Sequence, residues 1–167
     1  MKSIFFLKTY NSDAYFNMAA DEYFCNQVER ENFYGVLRFF TWMPSAISIG
    51  YYQKTRYFDL DKLKESGIKV VRRITGGNAI FHKGDFTYSI ILKNDNNGIS
   101  AKKEFYHMLA KILKDSLSSL GVESFINEKL NIKNTTPNCF SSTSQYEIVD
   151  DCGFKLIGSA QTITKEF

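Results

Sequence analysis

The chain of 167 residues contains only two prolines, one tryptophan and two histidines, and it has no long apolar run. Its apolar runs stay far below the roughly 18 residues that a membrane-spanning helix needs, so the sequence predicts no membrane span. The segment from Met1 to Lys8 has one short apolar run, without the length of a signal sequence or a small-residue cleavage site. We therefore interpret this segment as a first strand.

Cysteine is scarce, and so is any excess of charge. The three cysteines, Cys25, Cys139 and Cys152, are odd in number and lack metal-ligand spacing, which predicts free thiols, no metal site and a cytoplasmic location. The net charge is +3 without a block of Lys or Arg, which argues against nucleic-acid binding. The hydrophobic fraction of 44% predicts an ordered chain, and the 16% of aromatic residues is typical of a large core or an apolar ligand site.

Two long helices are predicted by apolar periodicity. The first runs from about Ala14 to Arg30 behind the N-cap residues 11–13, with an apolar face formed by Ala20, Tyr23, Phe24 and Val28. The second runs from Ser100 to Leu120 and ends at Gly121. Its apolar residues recur at three- and four-residue steps: Phe105, Met108, Leu109, Ile112, Leu113, Leu117 and Leu120.

Strands outnumber helices and often follow one another directly. A short helix is predicted over residues 59–66, and strands are predicted at 3–9, 35–41, 46–51, 68–74, 79–82, 86–92, 122–126, 145–149 and 155–161. This order favours an α+β fold with a mixed or antiparallel sheet packed with helices, in a single domain over residues 1–167.

One segment combines paired arginines with paired glycines. Arg72 and Arg73 end a strand, Gly76 and Gly77 break it, and His82 ends the next strand. The glycines allow positive φ and close approach of backbone N–H groups to a ligand oxygen, and the arginines offer forked donors to a carboxylate or phosphate. The alternative is a tight turn with two surface arginines and a structural histidine, and the pattern alone leaves both open.

Two further segments carry reactive groups. Cys139 lies in a polar segment where its thiol would be accessible, although a lone cysteine is more often inert. Lys155 begins a strand that continues into the small residues Gly158, Ser159 and Ala160, a run that weakens a strand unless a ligand or a backbone packs closely against it. The alternatives are an inert thiol and a tight packing site beside a solvated lysine.

Taken together and in order, these segments resemble the biotin/lipoate protein ligase A/B family, in its lipoate ligase and octanoyltransferase branch. The resemblance covers nearly the whole chain. It rests on Asn17–Glu22, Leu37–Trp42 with Pro44, Ser48–Tyr51 with Gln53, Arg72–Gly77 with Phe81 and His82, Thr87–Ser89, and Lys155–Gln161.

The resemblance implies a fold, an activity and site residues. The fold would be the catalytic fold of biotin/lipoate ligases and class II aminoacyl-tRNA synthetases. Arg72, Arg73, the two glycines and His82 would form the acyl-binding site, with Arg73 facing the acyl carbonyl or an adenylate phosphate. Lys155 would donate to the activated acyl group, and the acyl tail would lie beside the strand of small residues.

Two chemistries compete within this family. Octanoyltransferases of one branch use a cysteine in a Cys-Phe segment before a Tyr-Glu strand, and Cys139–Phe140 with Tyr146–Glu147 matches that arrangement. We therefore expect transfer of an octanoyl or lipoyl group, through a Cys139 thioester, from acyl carrier protein to a lysine of a lipoyl carrier domain, without a cofactor. The carrier would be the glycine cleavage H protein or an acyltransferase subunit of a 2-oxoacid dehydrogenase. The alternative, an ATP-dependent lipoate ligase using ATP and magnesium, usually has an Asn-Asp pair where this chain has Asn127–Glu128.

Other functional classes remain as alternatives. Family catalytic domains continue past the strand that begins at Lys155 into C-terminal elements, whereas this sequence ends at Phe167, so the domain is expected to be incomplete. An incomplete sheet leaves an open edge, which predicts a homo-oligomer or a complementing second chain. A non-catalytic acyl-binding or carrier-docking protein is a further possibility. A biotin ligase would show a Gly-Arg-Gly-Arg type of loop, which residues 75–78 do not.

Overall fold

The structure is a computed structural model that describes residues 3–30, 33–93, 102–128 and 145–162. Contacts divide the chain into two compact units, Asp95–Gln161 and the remainder, Met1–Asn94 with Thr162–Phe167. No helix among the described residues is long and apolar enough to cross a membrane. The units are described separately below.

The first unit contains two three-stranded sheets and two helices. Its elements in chain order are β1 (Ile4–Ser12), α1 (Ala14–Arg30), β2 (Gly35–Trp42), β3 (Ala46–Ile49), a 3₁₀ turn (Thr55–Tyr57), α2 (Leu60–Glu65), β4 (Lys69–Arg72), β5 (Ile80–His82) and β6 (Thr87–Leu92). The first sheet has the order β1-β2-β6, with β1 parallel and β6 antiparallel to β2. The second has the order β4-β3-β5, with β4 parallel and β5 antiparallel to β3.

The second unit combines one helix with a small antiparallel sheet. Its described elements are α3 (Lys102–Ser119), β7 (Phe125–Ile126), β8 (Ile148–Val149) and β9 (Lys155–Ile157), and the strands have the order β7-β8-β9. Mixed sheets packed with helices confirm the predicted α+β class. The prediction of a single domain stays a prediction.

The core of the first unit lies beneath α1. A buried cluster joins the helix to both sheets and consists of Ala14, Phe40, Trp42, Ala46 and Val71, with Met18 packed against it. Burial of apolar area stabilises such a cluster by about 25 cal/mol per Å² removed from water. This cluster therefore packs α1 against β2, β3 and β4.

The inner face of α1 is partly polar, which the sequence analysis did not anticipate. Asn17 is fully buried and Asp21 is mostly buried, whereas Tyr23, predicted on the apolar face, is more than half exposed. Both polar residues face Arg38 on β2, whose residue surface is only 1% exposed. The helix is thus positioned by a buried charge as well as by apolar contacts.

The guanidinium of Arg38 bonds to α1 and to β1. It donates to the backbone oxygen of Asn17 at 3.0 Å, to Asp21 Oδ1 at 2.9 Å and to Thr9 Oγ1 at 3.1 Å, and it lies 4.0 Å from the ring centroid of Phe40. Burial lowers the pKa of Arg38 and raises that of Asp21, and the attraction between the two charges opposes both shifts. Each charge therefore depends on the other to remain buried.

The predicted apolar face of α3 is only partly correct. Leu109 is buried, whereas Met108, Ile112 and Leu120 are each at least 45% exposed. The predicted strands at 122–126, 145–149 and 155–161 shorten to two or three residues each, although Asn127 still exchanges backbone hydrogen bonds with Tyr146 and Glu147 beside β7 and β8.

Replacing Arg38 with methionine tests the dependence of the first unit on this charge. We expect Arg38→Met to lower the free energy of unfolding by ~3–5 kcal/mol, because it leaves Asp21 as an uncompensated buried charge. Urea unfolding of the variant and the wild-type protein measures the change. Arg56→Met is the matched control, since Arg56 is exposed beside Tyr57; equal stability of the two variants would contradict the assignment.

Candidate functional site

The predicted site residues fall into two groups, one in each unit. Arg72, Arg73 and His82 flank residues 75–78, which we call the glycine turn and which connects β4 to β5. Lys155 and Gly158 lie on and after β9 in the second unit. Cys139 lies outside the described residues.

Arg72 shapes the loop that follows β3. Its Nη1 donates to the backbone oxygens of Gly50, Tyr51 and Gln53, each at 2.8 Å. Three carbonyl oxygens converge on one nitrogen, so this arginine closes the loop of residues 50–53 around its own charge. Charged donors make stronger hydrogen bonds than neutral ones, which explains how an irregular loop keeps one shape.

Arg73 performs the equivalent task for the glycine turn. Its Nη2 donates to the backbone oxygens of Gly76 at 2.8 Å and Asn78 at 2.7 Å. Its Nη1 donates to the backbone oxygen of Ser48 at 3.0 Å and contacts Ser48 Oγ at 3.3 Å. The planar guanidinium of Arg73 therefore connects the glycine turn to β3 through hydrogen bonds.

Two glycines allow the glycine turn to approach the loop of residues 50–53. A Cβ placed on Gly50 would lie 1.9 Å from the carbonyl oxygen of Gly77, and Gly77 itself has a φ of +95°. The Tyr51 N–H donates to the Thr75 oxygen at 2.9 Å across the same junction. By contrast, a Cβ on Gly76 would meet nothing within 4 Å. Gly50 and Gly77 are thus required by geometry, while Gly76 borders open space.

His82 is buried, with both ring nitrogens engaged. Nε2 lies 2.8 Å from Ser48 Oγ, Nδ1 lies 2.7 Å from Asp85 Oδ2, and the ring stacks on Trp42 at 3.8 Å between centroids. Burial by itself would raise the pKa of Asp85, but hydrogen bonds from His82 and the Thr87 hydroxyl outweigh it and leave that pKa below its ordinary value. Asp85 is therefore an ionised partner for the imidazole at neutral pH.

Lys155 forms a buried ion pair in the second unit. Its Nζ lies 2.6 Å from Glu147 Oε1, and the two side chains are only 2% and 3% exposed. A Cβ on Gly158 would lie 2.4 Å from Lys155 Cε and 2.9 Å from its Nζ. A larger residue at position 158 would displace the end of the lysine side chain, so the small residue after β9 leaves room for Lys155 as it is placed here.

The small residues beside Lys155 differ in environment. The Ser159 backbone oxygen accepts a hydrogen bond from the hydroxyl of Tyr106 on α3, while Ala160 is exposed. The His107 ring lies 5.1 Å from that of Tyr146, whose φ is +68°. Residues of α3 therefore hold the segment around the ion pair.

The two described cysteines are free thiols. Burial, together with the charges of Asp21 and Glu22, raises the pKa of Cys25 to about 11, so this thiol stays protonated at neutral pH. Cys152 is exposed in the turn between β8 and β9. A thiol with so high a pKa is a poor nucleophile at neutral pH.

Sequence reasoning missed the partners of the predicted residues. Glu147 lies in the Tyr-Glu motif, which predicts no separate role for it. Asp85 lies between the predicted strands 79–82 and 86–92. Ser48 was quoted only as part of the resemblance. One available signal was an acidic residue inside or beside a predicted strand, since such a charge is rarely buried without a partner.

Adding one methyl group at Gly50 or at Gly76 tests the packing of the glycine turn. We expect Gly50→Ala to lower the free energy of unfolding by ~1–3 kcal/mol, because the new Cβ overlaps the Gly77 oxygen and must displace the turn. Gly76→Ala is the matched control, with an expected change below about 0.5 kcal/mol because its Cβ enters open space. Urea unfolding of both variants decides the matter, and a Gly50→Ala protein as stable as wild type would show that the two backbones do not meet.

Comparison with known proteins identifies the family. The model of the lipoyl protein ligase A/B catalytic domain matches residues 13–167. Octanoyltransferase LipM of Staphylococcus aureus is 37% identical over 169 residues, covering 96% of this chain and 61% of that relative. The chain thus spans about three fifths of the length of this curated relative.

Two solved structures show the same fold. A T. acidophilum protein with bound lipoic acid superposes with a TM-score of 0.73 at 25% identity, covering 99% of this chain and 64% of that one. Lipoate-protein ligase A bound with ATP superposes with a TM-score of 0.69 at 24% identity, covering 99% and 63%, respectively. Because the family model spans most of the sequence and the fold is shared with these structures, the chain belongs to the lipoyl protein ligase A/B catalytic domain family.

Proposed function

We propose that the chain is the acyl-binding part of an octanoyltransferase, which moves an octanoyl or lipoyl group from acyl carrier protein to a lysine of a lipoyl carrier domain. The similarity to octanoyltransferase LipM supports this reaction. The observation that carries the proposal is the buried pair of Lys155 and Glu147 beside Gly158. Lys155 also lies in the segment that resembles the lysine-containing strand of the family. This position supports Lys155 as the group that contacts the acyl carbonyl.

The chemistry of the lysine follows from its position. A thioester carbonyl gains negative charge on its oxygen when a nucleophile attacks, and a fixed cation beside that oxygen stabilises the transition state. Glu147 lies 2.6 Å from the ammonium and holds it in place inside the protein. In this proposal Lys155 donates a hydrogen bond to the carbonyl oxygen while Glu147 holds its stem.

The transfer proceeds through two balanced exchanges at Cys139. The Cys139 thiolate attacks the carrier thioester, the bond from the carbonyl to the pantetheine sulfur breaks as the new thioester forms, and the pantetheine thiolate leaves and takes up a proton. The amine of the carrier-domain lysine then attacks the Cys139 thioester, the amide forms as the bond to the Cys139 sulfur breaks, the amine nitrogen gives up a proton to solvent, and Cys139 leaves as the thiolate. Both steps conserve the activated acyl bond until the amide forms, so they require neither ATP nor magnesium.

The glycine turn of the first unit is proposed to contact the acyl group. Because the described contacts of Arg72 and Arg73 include backbone carbonyls, we assign to both arginines the shaping of this surface. Gly76 and Gly77 then present backbone to the acyl group, and His82 supports the turn from beneath. The small residues Gly158, Ser159 and Ala160 would border the acyl tail.

The partners follow from the same reaction. Acyl carrier protein would deliver the acyl group, and the glycine cleavage H protein or an acyltransferase subunit of a 2-oxoacid dehydrogenase would accept it. Both exchanges use a free thiol, which suits a cytoplasmic location.

Loading of single cysteine variants tests the thioester step. We expect intact-mass spectrometry to show a gain of one octanoyl group after incubation with octanoyl-acyl carrier protein, and no gain in Cys139→Ala. Cys25→Ala and Cys152→Ala are matched controls that should load like the wild type, because the first thiol is protonated and the second lies in the β8–β9 turn.

Loading of Cys139→Ala would overturn the proposed nucleophile. If the wild-type chain stays unloaded with the carrier but lipoate is activated when ATP and magnesium are added, the ligase reading replaces this one. Octanoate binding without transfer in either mixture would instead indicate a non-catalytic acyl-binding protein.

Removing the buried pair as a unit tests the role of Lys155. We expect Lys155→Met alone to be destabilised by ~3–5 kcal/mol, because the buried Glu147 carboxylate loses its ion-pair partner. The double variant Lys155→Met/Glu147→Met should regain much of that stability yet load Cys139 about 10²–10³-fold more slowly than wild type. Urea unfolding and timed mass spectrometry give the two readouts, and a stable double variant that loads at the wild-type rate would remove Lys155 from the mechanism.

A further inference from the structure

Ser48, His82 and Asp85 form a continuous hydrogen-bonded chain inside the first unit. Ser48 Oγ lies 2.8 Å from His82 Nε2, and His82 Nδ1 lies 2.7 Å from Asp85 Oδ2. The order of groups is that of a serine nucleophile with its base and orienting acid. Ser48, however, is only 1% exposed, and its hydroxyl lies between His82 and Arg73, so no substrate can reach it.

The donors and acceptors of this chain define one protonation pattern. A guanidinium only donates, so Ser48 Oγ accepts from Arg73 Nη1 at 3.3 Å. An ionised carboxylate only accepts, so the proton between His82 and Asp85 belongs to Nδ1. The remaining proton, that of the Ser48 hydroxyl, is donated to Nε2. This pattern places the imidazole proton on Nδ1 and leaves Nε2 as an acceptor, which is the Nδ1–H tautomer.

Neighbouring groups fix Asp85 and the ring in this arrangement. The Thr87 hydroxyl donates to the same carboxylate oxygen, Asp85 Oδ2, at 3.1 Å. Thr87 Oγ1 in turn accepts from Trp42 Nε1 at 2.8 Å, and the Trp42 indole stacks on the imidazole with an interplanar angle of 13°. Asp85 and the plane of the His82 ring are thus both held by β2 and β6.

We propose that Asp85 is a positioning residue for the glycine turn: by fixing the Nδ1–H tautomer of His82 it gives the Ser48 hydroxyl an acceptor at Nε2, which orients a lone pair of Ser48 Oγ toward Arg73. Arg73 donates from Nη2 to the backbone oxygens of Gly76 and Asn78. Hydrogen bonds therefore connect the Asp85 carboxylate, through the side chains between them, to the backbone of the glycine turn. An Nε2–H tautomer would place two donors on Ser48 Oγ and leave the serine proton without its acceptor. The expected effect on acyl transfer rests on the proposed function, whereas the predicted tautomer of His82 and its effect on the glycine turn do not.

Histidine tautomers are directly measurable in this chain, because His82 and His107 are its only histidines. In protein labelled with ¹⁵N-histidine, long-range ¹H–¹⁵N spectra distinguish a protonated from an unprotonated ring nitrogen. His107→Gln assigns the signals. At neutral pH we expect His82 to carry its proton on Nδ1 in the wild-type chain, and an Nε2–H ring would overturn the proposal.

Two variants then test whether the tautomer governs the turn. Asp85→Ala should shift His82 toward the Nε2–H form and move the backbone amide signals of Gly76 and Gly77. Ser48→Ala keeps the pairing of His82 with Asp85, so it should retain Nδ1–H while still moving the two glycine signals. The matched control is Asp61→Ala, an exposed carboxylate in the first turn of α2, which should change neither.

These readouts separate this proposal from the proposed function. Loading of Cys139 should slow about 10²-fold in Asp85→Ala, since small displacements of a binding surface cost that much. If the wild-type chain does not load, the histidine and glycine signals still decide the present proposal. Unchanged tautomer and glycine signals in Asp85→Ala would overturn it, even where acyl transfer is confirmed. Unmoved glycine signals in Ser48→Ala would also overturn it, and this arm serves if Asp85→Ala does not fold.

Discussion

The buried guanidinium of Arg38 is the interaction on which the first unit depends. It accounts for the polar inner face of α1, because Asn17 and Asp21 turn inward to meet it. Residues 38, 40 and 42 of β2 alternate with their neighbours and share one face, as side chains of a strand do. Along that face the charge stacks against Phe40, Phe40 contacts Trp42, and Trp42 stacks on His82. The strand β2 therefore connects Arg38, which binds α1, with His82, which lies beneath the glycine turn in the hydrogen-bonded chain from Asp85 to Arg73.

Arginine serves the backbone throughout the first unit. Arg38 donates to a helix carbonyl, Arg72 to three loop carbonyls and Arg73 to carbonyls on both sides of the glycine turn. A buried carbonyl without a partner costs about 1–3 kcal/mol, so irregular segments that leave the sheet need such donors. Arginine supplies several donors from one side chain, and the ends of β3 and β4 can diverge from regular pairing because arginines meet their carbonyls. The arginines that the sequence suggested as ligand contacts thus explain the shape of the proposed acyl surface.

The sequence predicted element bounds better than it predicted partners. The span of α1 was predicted correctly because N-cap residues and an unbroken helical segment define it, but apolar periodicity misplaced Tyr23, since the inner face contains Asn17 and Asp21. Arg73, His82 and Lys155 were found through the resemblance, which follows residue types in order. Their partners depend on strand register: Ala46 lies opposite His82 in the β3–β5 pair, which places Ser48 beside the imidazole. Register is set by tertiary packing and turn geometry, so it could not be derived from residue order.

The pair of Lys155 and Glu147 contributes little net free energy to folding. Desolvating two charges offsets most of their attraction, and well-packed apolar residues of similar volume often stabilise a protein as well or better. The segment nevertheless keeps both charges almost fully buried and leaves no Cβ at Gly158 so that the lysine stem fits. Stability alone would favour an apolar pair with an ordinary side chain at position 158. The proposed acyl transfer would account for the pair, because a fixed cation away from water can stabilise the oxyanion that forms from a thioester.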